Sequence, residues 1–193
     1  MNKVNNISYT QEEVYNIKIE EVEIFFSSWN MKFLKNRGIN TLGQLFKFVD
    51  NENNFRNIPK IKEDEIVNTT NILRCKYLNE DPEFDLDSKD THNYEKKTFD
   101  QTHQLINMGL SGSNLLRQIV NHRKDTLKET LEYFIITNNI SNLTGVGLKR
   151  KKEFVAKATI ILDYYKEKDD DHKRDIEELT NLNNKLNELI KKK

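Results

Sequence analysis

The sequence contains few residues that interrupt helices or cross-link a chain. Two prolines and six glycines occur among 193 residues; with apolar residues at i, i+3 and i+4 spacing, this scarcity predicts an all-α protein. The single cysteine, Cys75, excludes an internal disulfide, and the polar N-terminal residues do not match a secretory signal. We therefore expect a cytoplasmic protein. No apolar run approaches the roughly 20 residues that span a bilayer, so no membrane partner is expected.

The charge is balanced overall but uneven along the chain. The formal net charge is zero, although charged residues make up 32% of the sequence. Acidic residues predominate over 79–100, whereas basic residues predominate over 105–168. This distribution argues against polyanion binding by the whole molecule and indicates a basic region in the second half of the chain. Asn, Lys and Ile are abundant, which is typical of A/T-rich genomes such as those of low-G/C bacteria and their phages.

Helix signals and charge together divide the chain into four segments. A helical module is predicted over residues 1–78 and a second over 101–166. An acidic linker over 79–100, where the apolar periodicity is lost, separates them. Residues 167–193 contain neither proline nor glycine and are predicted to form a long C-terminal amphipathic helix.

Capping residues predict where individual helices begin and end. Thr10 and Glu13 match the T-x-x-E capping box, Gly38 is placed to end a helix, and Thr41 is placed to begin the next one. In the second module we expect Asp125 to cap the helix that follows it. Four aromatic residues are predicted to lie in the core of the first module: Phe25, Phe26, Trp29 and Phe33.

The C-terminal segment carries a stripe with the spacing of a coiled coil. Its members follow one another at intervals of three and four residues, and an asparagine at an a position favours parallel two-stranded coils. The stripe consists of Ile176, Leu179, Asn183, Leu186 and Ile190. One interpretation is a homodimer formed through this helix. The alternative is that the stripe packs on its own domain, because it is shorter than three heptads.

The most specific motif is the segment 143–154, where two glycines precede four consecutive cations. Glycines between two helices allow the backbone to approach a phosphate without interference from a Cβ atom. The helix that follows presents its N-terminal N–H groups and its dipole to the anion. The predicted DNA-binding residues are Gly145, Gly147, Lys149, Arg150, Lys151 and Lys152. The alternative interpretation is a simple tight turn followed by a solvated basic face.

Two parts of the chain resemble known families. Segment 143–154 resembles the helix-hairpin-helix consensus. Residues 33–45, which include G-I-N-T-L-G-Q-L, resemble the C-terminal domain of the α chain of bacterial RNA polymerase. The second resemblance extends over 19–77, and a looser copy covers 99–165, where Gly109 stands in the opening turn. The resemblance implies two tandem helix-hairpin-helix modules, similar to that polymerase domain, followed by the long C-terminal helix.

The resemblance also implies partners. The family domain binds the minor groove of A/T-rich DNA and contacts sigma factor and activators. Where the family has its DNA-contacting arginine and asparagine, this sequence has Trp29 and Lys32, and Lys62 replaces a hairpin glycine. Three acids follow Lys62 and would repel phosphate, so we expect the first module either to contact a protein such as RNA polymerase or sigma factor or to have a purely structural role. The possible partner-binding residues are Lys35, Arg37, Glu63, Asp64 and Glu65.

Three hypotheses for function follow. The first is a DNA-binding accessory protein or regulator of transcription that contacts double-stranded DNA through the second module. The second is a protein-interaction module or inhibitor that acts on RNA polymerase or sigma factor without binding DNA. The third is a repair or recombination factor that recognises DNA structure, since helix-hairpin-helix units also occur in such proteins.

No residues point to enzymatic chemistry. The sequence lacks a P-loop, a nucleophile elbow and paired catalytic carboxylates, so we expect neither catalysis nor a cofactor. No metal site is expected either, because the four histidines are scattered and lack ligand spacing with Cys75.

Overall fold

The computed structural model describes residues 9–81, 94–110 and 114–191, and for residues 52, 94–100, 171–172 and 175–191 it describes the backbone alone. The predicted all-α class is confirmed: within these ranges the chain forms helices and no β-strand, with one isolated bridge between Lys18 and Thr41. In chain order the elements are α1 (Gln11–Asn16), the 3₁₀ helix η1 (Ile19–Phe25), α2 (Ser28–Asn36), α3 (Leu42–Val49), η2 (Glu52–Phe55), α4 (Lys60–Leu78), α5 (Tyr94–Asn107), α6 (Asn114–Asn121), α7 (Leu127–Ile135), η3 (Asn139–Asn142) and α8 (Leu148–Lys191). None of the helices in the described ranges is both long and apolar enough to cross a membrane.

The predicted caps of the first module are confirmed. Thr10 and Glu13 form a reciprocal capping box at the start of α1. Thr41 caps α3, and its hydroxyl accepts a hydrogen bond from the backbone N–H of Gln44. Gly38, with φ of +74°, follows α2 in the left-handed conformation that glycine adopts at little cost.

The predicted cap of α7 is wrong by one residue. Thr126, not Asp125, occupies the N-cap position, and its hydroxyl accepts a hydrogen bond from the N–H of Glu129. The Glu129 carboxylate accepts one from the N–H of Thr126 in return. This reciprocal box requires a glutamate or glutamine three residues after the cap, and such a residue follows Thr126 but not Asp125.

The same order of elements occurs twice. α2, α3, η2 and α4 are followed later in the chain by α6, α7, η3 and α8. In both sets the second helix begins six residues after the first one ends, with a threonine in a capping box. In both sets a residue with positive φ, Asn57 or Gly145, precedes the last helix. The resemblance places Gly109 in the opening turn of the second copy. In the structure Gly109 follows α5 and precedes α6, the first helix of the second set.

Two of the predicted segment boundaries fall inside helices of the structure. α4 ends at Leu78, but α5 begins at Tyr94, within the range predicted as linker; residues 82–93 lie outside the described residues. α8 continues through the predicted boundary at residue 167 as one helix of 44 residues, about 66 Å long at 1.5 Å per residue. The coiled-coil stripe falls on residues whose side chains lie outside the described set, so the dimer seam stays a prediction.

Two apolar cores are joined by the side-by-side packing of α4 and α8. The first core contains Phe26, Leu34 and Leu45, and the second contains Phe134 and Phe154. Residues of the two long helices also cross between cores: Ile72 of α4 belongs to the second core, and Ile160 of α8 packs against both. The two modules therefore form one packed body.

The core prediction is wrong for Trp29. Phe25 and Phe26 are buried and Phe33 is half-buried, but Trp29 is 43% exposed. α2 buries Asn30, Met31 and Leu34, and Trp29 lies on the neighbouring stripe of the helix.

Candidate nucleic-acid interface

The glycine hairpin is an exposed loop between η3 and α8. Gly145 has φ of +65°, and a Cβ atom there would lie 3.0 Å from the Asn114 side-chain nitrogen. Gly147 has neither constraint: its φ is not positive, and no atom lies within 4 Å of a Cβ placed on it. Gly145 is therefore required by the fold, whereas the open space at Gly147 leaves its backbone accessible from outside.

Two side-chain amides of α6 fix the loop in place. Gln118 donates to the Thr144 carbonyl at 2.6 Å and accepts from the Thr144 N–H at 3.1 Å. Asn114 donates to the carbonyls of Thr144 and Gly145 at 3.1 and 3.3 Å. Neither amide was among the residues predicted from the sequence, although polar amides four residues apart share one face of an otherwise amphipathic helix.

At the N-terminus of α8 a glycine stands where four other helices have a capping side chain, and α4, which begins after Pro59, has no side-chain cap either. Ser or Thr hydroxyls accept hydrogen bonds from first-turn N–H groups in α1, α2, α3 and α7. At the N-cap of α8 stands Gly147, which has no side chain; its carbonyl accepts the first intrahelical bond, from the Lys151 N–H at 3.2 Å. No side chain among the described residues accepts a hydrogen bond from the first N–H groups of α8, which share this end of the helix with the positive end of its dipole.

The four cations that follow Gly147 have different surroundings. Lys149 forms an exposed ion pair with Glu23 of η1 at 3.2 Å. Lys151 donates to the Ser141 carbonyl at 2.8 Å, on the η3 side of the loop. Lys152 is exposed and has no ion-pair partner among the residues described. These three lysines thus lie on the surface around the start of α8.

Arg150 points inward, contrary to its predicted place on a DNA surface. Its guanidinium pairs with the Glu153 carboxylate at 2.9 Å and with Glu65 of α4 at 3.5 Å. Both carboxylates are 2% exposed. Glu153 also pairs with Lys157 and Glu65 with Lys62, so Arg150 is one of two cations on each buried carboxylate, and by bridging the two it serves the junction between α4 and α8.

The buried charges continue along α8 to Lys157, which is fully buried. Its ammonium donates to Glu153 at 2.9 Å and to the Gly109 carbonyl at 3.2 Å. Burial lowers the pKa of Lys157, while the Glu153 carboxylate opposes that effect. Lys157 was not predicted from the sequence, although a lysine three residues after Phe154 and four before Ile161 falls on the apolar stripe of the helix.

The residues predicted to bind a protein partner differ in their contacts and in their exposure. Lys35 pairs with Glu20 at 3.2 Å on the surface, and the Arg37 guanidinium lies 5.2 Å from the centre of the Phe33 ring. Both Glu63 and Asp64 pair with Lys60. Glu65 is the exception to the prediction: its buried carboxylate accepts from Lys62 and Asn30, so it is not a surface contact.

Trp29 and the half-buried Phe33 form an aromatic pair on the surface of α2. Trp29 stacks on Phe33 with ring centroids 5.4 Å apart and planes 6° from parallel. The Lys62 ammonium lies 5.7 Å from the Trp29 ring, and Arg37 covers Phe33. Aromatic rings flanked by cations are typical of surfaces that bind proteins or stack on bases.

Cys75 is buried in α4 and is not a reactive thiol. Burial raises its pKa to about 12, with further contributions from Asp81 and Glu167, so it stays protonated at neutral pH. Within the described part of the chain, no group of three or more His, Cys, Asp or Glu residues is arranged to hold a metal ion.

Comparisons with protein-family models, with curated proteins and with solved structures found no match. The function of this chain must therefore be inferred from its own residues.

Proposed function

We propose that this chain is a non-enzymatic DNA-binding protein of the cytoplasm that acts as an accessory factor or regulator of transcription. It consists of two tandem helix-hairpin-helix modules, of which the second binds DNA phosphates. The observation that carries the proposal is the exposed 145–147 loop, which leads without a side-chain cap into α8, with Lys149, Lys151 and Lys152 around it. The repeated order of elements supports the tandem arrangement.

The lysines can reach phosphate at small cost. The Lys149–Glu23 pair is exposed on both sides, and such pairs contribute about 0–1 kcal/mol. The contact of Lys151 with a solvent-exposed carbonyl is equally easy to exchange. Three lysine–phosphate contacts give a slope of log affinity against log salt of about −3. Contacts of this kind position the protein on a duplex without reading its sequence, so weak, salt-sensitive binding is expected.

The test is a mobility shift on A/T-rich duplex, G/C-rich duplex and four-way junction DNA across a salt series. The triple variant Lys149→Glu, Lys151→Glu, Lys152→Glu should lose binding. The charge-matched control Lys18→Glu, Lys47→Glu, Lys166→Glu reverses three exposed lysines away from the loop and should retain most of the affinity. Equal losses in the two variants would mean that only overall charge matters. Preference for the junction over both duplexes would favour a repair or recombination role instead.

A second candidate function rests on the Trp29–Phe33 surface. An exposed stacked aromatic pair flanked by Lys62 and Arg37 favours docking of a protein partner, as in the hypothesis of an inhibitor of RNA polymerase or sigma factor. Titration of the fluorescein-labelled chain with purified RNA polymerase should raise the fluorescence anisotropy, and Trp29→Ala should weaken the complex by about tenfold or more.

A further inference from the structure

A large open cleft lies apart from the hairpin loop. It runs between η1, the C-terminal end of α4 and the middle of α8, and its volume is about 1240 Å³. On the α8 side it is lined from Ala156 to Glu167, eleven residues further along, which corresponds to about 16 Å of helix. None of the six residues predicted to bind DNA lines it.

The lining combines apolar surface with aromatic rings. Ile24 of η1 is 43% exposed, and Ala156 and Ile160 of α8 are half-buried. Tyr77 and Tyr164 add amphipathic rings at the sides. An isoleucine exposed to this degree beside other apolar atoms leaves surface that a partner would remove from water.

The cleft is also acidic. Four carboxylates line it, and Lys76 is the single basic residue in the lining. The Lys76 ammonium lies 5.3 Å from the centre of the Phe25 ring and 5.0 Å from that of Tyr77, so aromatic faces rather than carboxylates hold it. The four acids are Glu21, Glu80, Asp163 and Glu167. Among the described residues, the last three form no ion pair. Within the described part of the chain, the negative charge of the cleft is therefore not neutralised by ion pairs.

We propose that this cleft binds an amphipathic helix of a partner protein, with an apolar stripe flanked by lysines or arginines. The charge of the lining requires a cationic partner, and its apolar surface requires a stripe of aliphatic side chains. The walls are helices without a free strand edge in the described region, which favours a helix over an added β-strand. The length of the α8 wall matches about three turns of the partner.

The experiment uses the full chain and two fluorescein-labelled helical peptides of about 14 residues. Both carry the same leucine stripe at i, i+3, i+4 and i+7 spacing; one is flanked by lysine and arginine and the other by glutamate. Fluorescence anisotropy should show that the cationic peptide binds about tenfold or more tightly than the anionic one. The double variant Asp163→Lys, Glu167→Lys should remove that preference.

Two matched controls separate the cleft from general surface effects. Glu12→Lys, Asp170→Lys reverses two exposed acids outside the lining and should leave the preference unchanged. Ile24→Ser should weaken peptide binding, whereas Ile61→Ser, at a comparable exposure of 47%, should not. The triple variant Lys149→Glu, Lys151→Glu, Lys152→Glu changes no residue of the lining, so it should lose DNA binding and keep the preference for the cationic peptide, which separates this proposal from the DNA-binding proposal.

Three outcomes would overturn the proposal. The first is equal binding, or no binding, of the two peptides. The second is an equal loss on Ile24→Ser and Ile61→Ser. The third is a dimer by light scattering that Ile24→Ser converts to monomer, since the occupant of the cleft would then be a second copy of this chain.

Discussion

At the scale of single residues, the most unusual feature is the buried charge between α4 and α8. Lys157 is fully enclosed, and Glu65 and Glu153 are nearly so. Each of these groups is compensated by an opposite charge, and the Gly109 carbonyl accepts a further hydrogen bond from Lys157. A Cβ atom on Gly109 would lie 2.9 Å from the Lys157 nitrogen and 2.6 Å from the Thr69 hydroxyl, so only glycine fits beside the ammonium.

Removing the negative partner should therefore be costly. Glu153→Gln leaves Lys157 and Arg150 without their shared carboxylate, and we expect the free energy of unfolding in urea to fall by about 3 kcal/mol. The double variant Glu153→Gln, Lys157→Met should recover part of the loss, because it no longer buries an uncompensated ammonium. A single variant as stable as the double variant would show that the ammonium is not confined as described.

The buried lysine also predicts a dependence of stability on pH. Burial lowers the folded-state pKa of Lys157 below its usual value of 10.5, so unfolding takes up a proton between those two pKa values. The contribution of this group to the free energy of unfolding therefore rises as pH rises through that interval. In urea titrations from neutral to alkaline pH, the free energy of unfolding of the original chain should rise relative to that of Lys157→Met. A constant difference would contradict the lowered pKa.

At the scale of elements, the two glycines of the 145–147 loop differ in their structural constraints, although the sequence motif treats them alike. Gly145 has a left-handed backbone and a close neighbour, whereas Gly147 has open space and a φ that any residue adopts. The first glycine is required by the turn itself. The second has space around it that the fold leaves open, which is the feature on which the proposed phosphate contact depends.

This difference predicts different effects on stability and on DNA binding for two conservative substitutions. Gly145→Ala should lower the free energy of unfolding by about 1 kcal/mol or more, because alanine is strained at positive φ. Gly147→Ala should lower the free energy of unfolding by roughly 0.5 kcal/mol, because alanine is a poorer N-cap than glycine, and should weaken DNA binding, since the added methyl faces the space that a phosphate would occupy. If Gly147→Ala binds DNA like the original chain, the loop does not approach phosphate at this residue.

At the scale of the whole molecule, the two modules share α4 and α8 as a common support. Ile72 reaches from α4 into the second core, and Ile160 of α8 packs against the first. Buried ion pairs and the contact of the Tyr164 hydroxyl with Asp81 join the same two segments. Neither module can therefore lose its structure without exposing part of the other.

We accordingly expect one cooperative unfolding transition for both modules. Trp29 fluorescence reports on the first module, whereas circular dichroism at 222 nm reports on all helices. The two signals should give coincident urea transitions. Two separated transitions would mean that the modules unfold independently and that the contact between α4 and α8 is weak.

The amino-acid sequence by its local patterns predicts the helical class, most of the caps and a turn at Gly145. These signals are local: a capping box joins residues three apart, and an amphipathic stripe repeats every three or four residues, so both can be read along the chain. Even the error at Asp125 was a shift of one position within the right turn.

Only the tertiary structure decided which side chains face solvent. Four adjacent cations looked equivalent in sequence, but Arg150 meets Glu65 of the other module while Lys149 meets Glu23, which is 126 residues away. Lys157 lies inside the core because α4 packs against that face of α8, whereas Trp29 lies outside it because α2 buries the face of Asn30, Met31 and Leu34. Contacts between segments that are far apart in sequence produce no periodic pattern along the chain. Whether a charged side chain points outward or inward therefore depends on how the two modules pack together.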